Sequence, residues 1–363
     1  MKSIILVGAR VPESSVPNPG GQLTASIGLI EHAEKLGYSV KVIDTTQSSF
    51  PVPPLKARLK RGWQRVVELF SSLSSDNVQG VIIFSSSGMS FYERIVLSMI
   101  CRLRKVPDVF FMRSGHFMNQ VNKSKFYRII ASTFLKVPQN IGAQGEDWKL
   151  FYSSIGVKES KVFVVRNWLS ASFPTLTVPK KAEDKLIRFV FVGWMVKEKG
   201  VTQLLSAISE LSKEFTFHVD LVGGGTLEGY CSDYVVNNQL QDYVTLHGWQ
   251  DKDYVVETYK NSHVFILPSE AEGFPNSFLE ALALGLPAIC TNVGGVSDSL
   301  INGENGHLLA NNSSESIYNA MKSYIEKPEL VECYSQAAIE VYKQNHSRYE
   351  NCSILLNRII GDS

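Results

Sequence analysis

Two glutamates, Glu272 and Glu280, lie eight positions apart in a stretch rich in glycine and proline. Ionised carboxylates only accept hydrogen bonds, so a pair of them is suited to vicinal hydroxyl groups. Glu280 also has a structural interpretation, because Ser277 three positions earlier completes the Ser-x-x-Glu pattern of a helix capping box. For Glu272, which precedes that helix, the alternative is a solvated loop acid. The two interpretations of Glu280 are compatible with each other.

The elements around these glutamates predict where a ligand would bind. An apolar run at 263–267 predicts a buried strand, a helix follows from about Ser277 to Gly285, and a second strand begins at 288. In strand–helix–strand units of this kind, ligands bind at the carboxyl ends of the strands, against the N-termini of the helices. The stretch from Phe274 to Phe278, which includes Pro275, Asn276 and Ser277, is therefore a candidate anion site.

Two further loops follow predicted strands of the first half. Gly20 and Gly21 come after the first strand and precede a helix, and consecutive glycines let a backbone approach an anion closely. An ordinary Pro-Gly-Gly turn is the alternative. Arg113 and His116 follow the apolar run at 106–112, and either could face a ligand at that strand end. The local sequence does not choose between them, and a structural role is the alternative for both.

The whole pattern around Glu272 resembles the donor-site signature of retaining GT-B glycosyltransferases of family four. The residues that carry the resemblance are Pro268-Ser269, Glu272-Gly273-Phe274, Glu280, Ala281-Leu282-Ala283, Gly285, Pro287, Gly294-Gly295-Val296 and Asn302-Gly303. A second element, Gly193 to Gly200, resembles the family's strand-end motif Gly-Arg-x-x-x-x-Lys-Gly. Lys199 matches the lysine of that motif.

The resemblance implies roles for these residues. Glu272 would contact the hydroxyls of the donor sugar, and Glu280 would accept hydrogen bonds from the ribose. Lys199 would neutralise the leaving diphosphate, with Lys197 as a second cation, although both lysines could instead form a solvated turn. The remaining candidates would lie near the donor phosphates, the base or the reacting centre: Gly20, Gly21, Gly193, Gly224, Phe274, Pro275, Asn276, Ser277, Arg113 and His116. Family members work without a metal or other cofactor, so neither is expected here.

One position departs from the family pattern. Trp194 stands where the family has arginine. The loss of a cation beside a departing diphosphate is expected to cost a few kcal/mol of transition-state stabilisation. Compensation could come from Lys197, or Trp194 could stack on the base.

The order of predicted elements defines the fold class. Strands alternate with helices in both halves of the chain, which predicts two doubly wound, Rossmann-like α/β domains. The resemblance implies that they face a cleft, as in the GT-B fold. We expect an acceptor-binding domain at 1–170 and a donor-binding domain at 171–345. A C-terminal helix at 346–363 is expected to cross back to the first domain.

Composition restricts the compartment and the partners. The chain has 363 residues and five scattered cysteines, without metal-ligand or redox spacing, which favours a reduced, cytoplasmic compartment. Residues 1–170 carry a net charge of +11 and the remainder −10. A basic amphipathic segment at 55–70 predicts either an ordinary surface helix or a patch that contacts anionic membrane at the inner face of the plasma membrane. No nucleic-acid recognition module accompanies the charge.

These observations lead to one principal hypothesis and two rivals. The principal hypothesis is a retaining glycosyltransferase of the hexosyltransferase type. It would move a sugar from a nucleoside-diphosphate sugar to a saccharide acceptor, which could be linked to polyprenyl diphosphate. A non-catalytic sugar-nucleotide binder is the first rival, motivated by Trp194. Another GT-B enzyme, such as a nucleotide-sugar epimerase, is the second.

Overall fold

The structure is a computed structural model that describes residues 2–10, 21–46, 53–75, 77–182 and 186–361. The chain divides into two compact units. One comprises Met1–Ala171 with His346–Ser363, and the other comprises Ser172–Asn345.

The first unit is built on a six-stranded sheet in the order β2-β1-β3-β4-β5-β6, in which all neighbouring strands are parallel. Its elements up to the unit boundary are β1 Ser3–Gly8, α1 Gly21–Lys35, β2 Ser39–Asp44, α2 Leu55–Ser72, β3 Val78–Ser85, α3 Met89–Leu103, β4 Asp108–Met112, α4 Gly115–Lys123, α5 Lys125–Phe134, β5 Asn140–Ala143, α6 Glu146–Ser154 and β6 Val162–Val164.

The second unit has another parallel six-stranded sheet, in the order β12-β11-β10-β7-β8-β9. Its elements are β7 Ile187–Val192, α7 Val201–Leu211, β8 Phe217–Val222, α8 Glu228–Asn237, β9 Val244–Gly248, α9 Lys252–Asn261, β10 Val264–Leu267, α10 Asn276–Ala283, β11 Ala288–Thr291, β12 Gly306–Leu309, α11 Ser314–Glu326 and α12 Glu329–Asn345. The predicted pair of doubly wound sheets is therefore confirmed.

The last helix, α13 Arg348–Ile360, packs on the first sheet. Its apolar residues Cys352, Leu355, Leu356 and Ile359 join the core formed by α1 and the strands. Polar contacts fix it further, because Arg348 is paired with Glu31 and the backbone N–H of Arg166 donates to Asn351 Oδ1 at 2.8 Å. Helices α2, α3 and α5 pack against the opposite core of the same unit. Both faces of this sheet are thus covered, as its nearly continuous apolar strands require.

The strand order also defines where ligands should bind. In the second sheet the chain winds outward from β7 through β8 to β9 and then returns to β10 on the other side of β7. The direction of winding reverses between β7 and β10, and crevices for ligands lie outside the carboxyl ends of strands at such a switch point. The loops after β7 and β10 are the loops that carry Lys199 and Glu272.

Candidate functional site

The loops after β7 and β10 are held in direct contact with each other. The backbone N–H of Glu270 donates to Glu198 O at 2.8 Å. Gly200 has a left-handed φ of 71°, and a Cβ there would lie only 2.1 Å from the carbonyl oxygen of Pro268. A side chain at this position would push the two loops apart, so glycine is required by both space and backbone conformation.

This close approach brings Lys199 and Glu272 together. Lys199 Nζ forms an ion pair with Glu272 Oε1, and Ser269 Oγ donates to the same carboxylate oxygen at 2.8 Å. The side chains of Lys199 and Glu272 are 22% and 11% exposed, so both keep access to solvent. A cation and a carboxylate therefore lie side by side at the switch point, where the cation can meet a phosphate and the carboxylate can accept from sugar hydroxyls.

A second glycine supports the backbone on the other side of Glu272. Gly294 has a φ of 61°, and a Cβ there would lie 2.3 Å from Glu272 O and 2.4 Å from Gly273 O. The next residue, Gly295, donates its N–H to Gly273 O at 2.9 Å. The loop that carries Glu272 is thus packed between backbone segments on two sides, which orients the carboxylate.

The predicted capping box at Ser277 is wrong. Helix α10 begins at Asn276, and its N-cap residue is Pro275, which makes no side-chain cap hydrogen bond. Proline fits a helix entry because its φ is fixed and it lacks the N–H that would remain unpaired. Ser277 therefore lies in the first turn, and its amide and that of Phe278 have no carbonyl partner within the helix. Phe274 is buried and its ring lies 5.7 Å from that of Phe278, so only its backbone is placed to contact a ligand.

Glu280 lies further into α10 and contacts α9 instead of the helix N-terminus. Tyr259 Oη donates to Glu280 Oε2 at 3.3 Å and is also 3.0 Å from Ser277 O, so its single proton is shared. Burial raises the pKa of the Glu280 carboxyl to about 7, although the Tyr259 hydroxyl and Lys252 act in the opposite direction. Further hydrogen-bond donors, such as ribose hydroxyls, would stabilise the ionised form of this carboxyl group.

The raised pKa of Glu280 makes a testable prediction for stability. Between pH 4.5 and about pH 7 the folded protein holds a proton that the unfolded chain has lost. Stability therefore falls as pH rises through that window, by on the order of 2 kcal/mol. Glu280→Gln removes this contribution. We expect urea unfolding to show that the free energy of unfolding of the variant, relative to that of wild type, is higher at pH 8 than at pH 5. A difference that is independent of pH would contradict the assignment.

Trp194 packs against a second tryptophan, Trp249. Its ring lies 4.6 Å from that of Trp249 in an edge-to-face arrangement, and the two residues are 37% and 42% exposed. Trp249 lies over the turn at Gly224, where a Cβ would be 2.6 Å from Trp249 Nε1. Gly193 donates its N–H to Val222 O at 3.0 Å, so this turn and the loop after β7 are joined. The aromatic pair is built where the family has a cation.

The two candidates after β4 are placed differently. The Arg113 guanidinium lies 5.2–5.9 Å from the ring centres of Phe84, Phe111 and Trp168 and donates to Asn167 Oδ1 at 3.0 Å. Burial lowers its pKa to about 10, so it stays protonated at neutral pH. His116 is exposed in the first turn of α4. Of the two, His116 is therefore the side chain open to solvent.

Three predicted residues remain, and the structure describes two of them. Gly20 lies outside the described residues, and Gly21 is the first residue of α1. Lys197 is exposed, in a short turn of 3₁₀ helix that precedes Gly200. Nothing in the part of the chain that the structure describes brings three His, Cys, Asp or Glu side chains together as metal ligands. In the same part, no helix is long and apolar enough to span a membrane.

Sequence reasoning missed three residues that contact the predicted ones: Ser269, Trp249 and Tyr259. Ser269 was identifiable as part of the family's Pro-Ser pair. Trp249 lies two residues after His247 in the sequence. The His247 ring is hydrogen-bonded through Nε2 to Asp220 Oδ1 at 2.7 Å and through Nδ1 to Tyr254 Oη at 2.8 Å. Neither Trp249 nor Tyr259 had a signal in local sequence, because both act through contacts with distant segments.

The two parallel six-stranded sheets place the chain in the GT-B class. Residues 174–341 match the family model described as glycosyl transferases group 1. This range is nearly the whole of the second unit. The second unit therefore matches the glycosyl transferases group 1 family.

Curated relatives agree with the family. Over 215 residues the chain is 28% identical to the capsular polysaccharide biosynthesis glycosyltransferase CapM of Staphylococcus aureus, a match to 58% of this chain and 53% of the relative. It is 29% identical over 175 residues to the lipopolysaccharide 1,6-galactosyltransferase of Escherichia coli, a match to 47% and 48%. The chain spans about half the length of these relatives. Among solved structures, Anabaena HepE in complex with UDP and glucose is similar in fold, with a TM-score of 0.71 and 14% identity over 98% of this chain and 99% of that one.

Proposed function

We propose that the protein is a glycosyltransferase that moves a sugar from a nucleoside-diphosphate donor to a saccharide acceptor with retention of configuration. The observation that carries the proposal is the Lys199–Glu272 pair at the switch point of a group 1 domain. It is supported by the N-terminus of α10, whose first-turn amides favour an anion. The UDP complex of a protein of the same fold makes a uridine donor the first to test.

The proposed chemistry follows from the charges. Lys199 leaves its contact with Glu272 and neutralises the departing diphosphate, assisted by the α10 amides. Glu272 is released to accept hydrogen bonds from the sugar hydroxyls, and Glu280 accepts from the ribose. The acceptor hydroxyl attacks from the face that the diphosphate leaves, and a phosphate oxygen takes its proton. Catalysis then rests on positioning and electrostatics, with no protein nucleophile and no metal.

We also propose where the reaction takes place and what accepts the sugar. The relatives named for capsular polysaccharide and lipopolysaccharide synthesis point to a surface-polysaccharide intermediate. A saccharide carried on polyprenyl diphosphate at the cytoplasmic face of the membrane fits the basic first unit, whose positive charge would attract the diphosphate. His116 is the first-unit side chain that we propose to lie near the acceptor.

Turnover of nucleotide-sugars tests the proposal. Wild type is expected to release nucleoside diphosphate from one donor, faster when a saccharide acceptor is present. Glu272→Ala is expected to lower kcat/KM by about 10²-fold, because contacts to the sugar are lost in the transition state. Glu270→Ala is the matched control, since Glu270 is an exposed acid in the same loop. Equal losses in both variants would contradict the role of Glu272.

Trp194 favours a second candidate, a sugar-nucleotide binder with little or no turnover. Under this hypothesis the aromatic pair Trp194–Trp249 holds the nucleotide, and the missing cation leaves the diphosphate a poor leaving group. Trp194→Arg separates the candidates. If the binder hypothesis holds, the variant gains turnover by about tenfold or more over an inactive wild type. If the enzyme hypothesis holds, wild type is already active and the variant binds the nucleotide more weakly through loss of the aromatic surface.

A further inference from the structure

One face of the first unit carries exposed apolar side chains on three neighbouring helices. On α2 they form a stripe at a helical spacing of three to four residues: Leu55, Leu59, Trp63, Val67 and Phe70, all at least 50% exposed. On α3, Val96, Met99 and Leu103 are 44–79% exposed, and on α5, Phe126 and Ile129 are 70% and 67% exposed. Exposed apolar residues gathered on one face mark an interaction surface, whereas single ones do not.

Contacts between the three helices show that these stripes belong to one surface. Arg65 on α2 donates to both carboxylate oxygens of Glu93 on α3, at 2.6 and 2.9 Å. Arg104, just after α3, lies 4.0 Å above the ring of Phe70. The rings of Tyr92 on α3 and Phe134 on α5 are 6.0 Å apart. All three helices bury their other faces in the same core.

The charge around this surface is strongly positive. Residues 55–136 contain 14 Lys and Arg but only four Asp and Glu. Of the acids, Asp108 is buried and Glu93 is paired with Arg65 and Arg94. Exposed basic residues flank each stripe, among them Lys60 on α2 and Lys125 on α5.

A basic cavity lies beside the surface. It has a volume of about 410 Å³ and is lined by Arg102, Lys136, Lys158 and Lys161, together with Leu135, Gly156 and Val157. Arg102 directly precedes the exposed Leu103, and Lys136 follows α5 by two residues. Among the described residues, no acid lines the cavity, and the buried carboxyl of Asp108 interacts electrostatically with Arg102 and Lys161. The positive charge of these four side chains attracts a phosphate-bearing group.

We infer that α2, α3 and α5 form a docking surface for an anionic phospholipid membrane, with headgroup phosphates in the basic cavity. Apolar side chains such as Trp63 and Leu103 enter the boundary between headgroups and acyl chains, and the surrounding cations meet the lipid phosphates. A second copy of the chain is a poorer occupant, because a two-fold contact would place this positive surface against itself. This inference extends the proposed function by naming the surface that holds the protein at a lipid-linked acceptor.

Vesicle co-sedimentation without nucleotide-sugar tests the inference. Wild type is expected to bind vesicles of phosphatidylcholine with phosphatidylglycerol at least tenfold more tightly than vesicles of phosphatidylcholine alone. The double variant Trp63→Ser with Leu103→Ser is expected to lose about tenfold in binding to the anionic vesicles. Val236→Ser, which removes a 57% exposed apolar side chain from the second unit, is the matched control and should bind as wild type. Equal binding to both kinds of vesicle, or equal binding by the double variant, would overturn the inference.

Two further measurements distinguish membrane docking from self-association and from a loss of catalysis. Sedimentation equilibrium that shows a dimer in wild type and a monomer in the double variant would assign the surface to a second copy and overturn the membrane assignment. Glu272→Ala should bind vesicles as wild type does, and the double variant should keep wild-type turnover of a water-soluble acceptor. Failure of the proposed function would therefore appear in turnover alone, and failure of the docking surface in vesicle binding alone.

Discussion

Lys199→Ala is expected to lower kcat/KM for donor turnover by about 10²–10³-fold. The reason is that Lys199 is the cation at the switch point beside Glu272, in the position proposed for the leaving diphosphate. The charge that develops on the diphosphate is greatest in the transition state, so kcat should fall together with kcat/KM. Steady-state kinetics with the active donor measures the effect.

The neighbouring lysine supplies the control for this prediction. Lys197→Ala removes an exposed cation from the same turn, and a loss of less than about tenfold is expected because its charge is screened by solvent. Lys199→Arg keeps the charge and should retain part of the activity. If Lys197→Ala and Lys199→Ala lose the same amount, the turn contributes only a general positive field and the specific role of Lys199 is wrong.

Gly200→Ala is expected to destabilise the second unit by about 3 kcal/mol or more. The new Cβ would lie 2.1 Å from Pro268 O, and the residue would have to keep a φ of 71°. Because the loops after β7 and β10 must separate to relieve the clash, Lys199 and Glu272 should also lose their alignment. Urea unfolding measures the stability loss, and donor turnover by the folded variant measures the misalignment.

Two other glycines of the second unit separate the causes. Gly303 also has a positive φ, 79°, but no atom of the described residues lies within 4 Å of its Cβ position, so Gly303→Ala should show only the backbone cost of about 1 kcal/mol. Gly229 is inside α8, its Cβ position has no neighbour within 4 Å in the described part of the chain, and Gly229→Ala should be neutral or stabilising. If Gly200→Ala costs no more than Gly303→Ala, the close approach of the two loops is not a constraint.

The sequence was sufficient to predict the fold, because the central strands of a buried parallel sheet are nearly continuous apolar runs. The predicted strand at 263–267 forms β10 Val264–Leu267, and the strand predicted to begin at 288 forms β11 Ala288–Thr291. Segment 55–70 has the period of an amphipathic helix and forms α2. Such patterns are local, so they can be recognised without knowing which segments pack against them.

The site was less accessible to sequence reasoning, because its contacts join distant segments. Glu272 and Lys199 are separated by 73 positions, and their pairing depends on the strand order that makes β7 and β10 neighbours. The capping box failed for the opposite reason. Ser277 and Glu280 match a local pattern, but Pro275 takes the N-cap position and moves both into the helix. In the structure Glu280 instead accepts a hydrogen bond from Tyr259, a contact that no local sequence pattern could indicate.

Trp194 shows how a departure from a family pattern acquires a physical meaning only in the structure. As a sequence feature it is the loss of a cation. In the structure its ring meets Trp249, whose indole covers Gly224 at the carboxyl end of β8. Where the family motif has a cation, this chain therefore has one member of an aromatic pair, and Trp194→Arg tests which of the two the proposed binding and turnover need.

We propose above all that Lys199 and Glu272 form the binding site for the diphosphate and sugar of a nucleotide-sugar. Thermal unfolding of wild type and Lys199→Ala with UDP, GDP, ADP and CMP tests it most directly, because a ligand that binds only the folded state raises its stability. We expect one nucleoside diphosphate to raise the Tm of wild type, CMP to have less effect, and Lys199→Ala to lose most of the shift. The absence of a shift with every nucleotide, or an equal shift in Lys199→Ala, would contradict the claim.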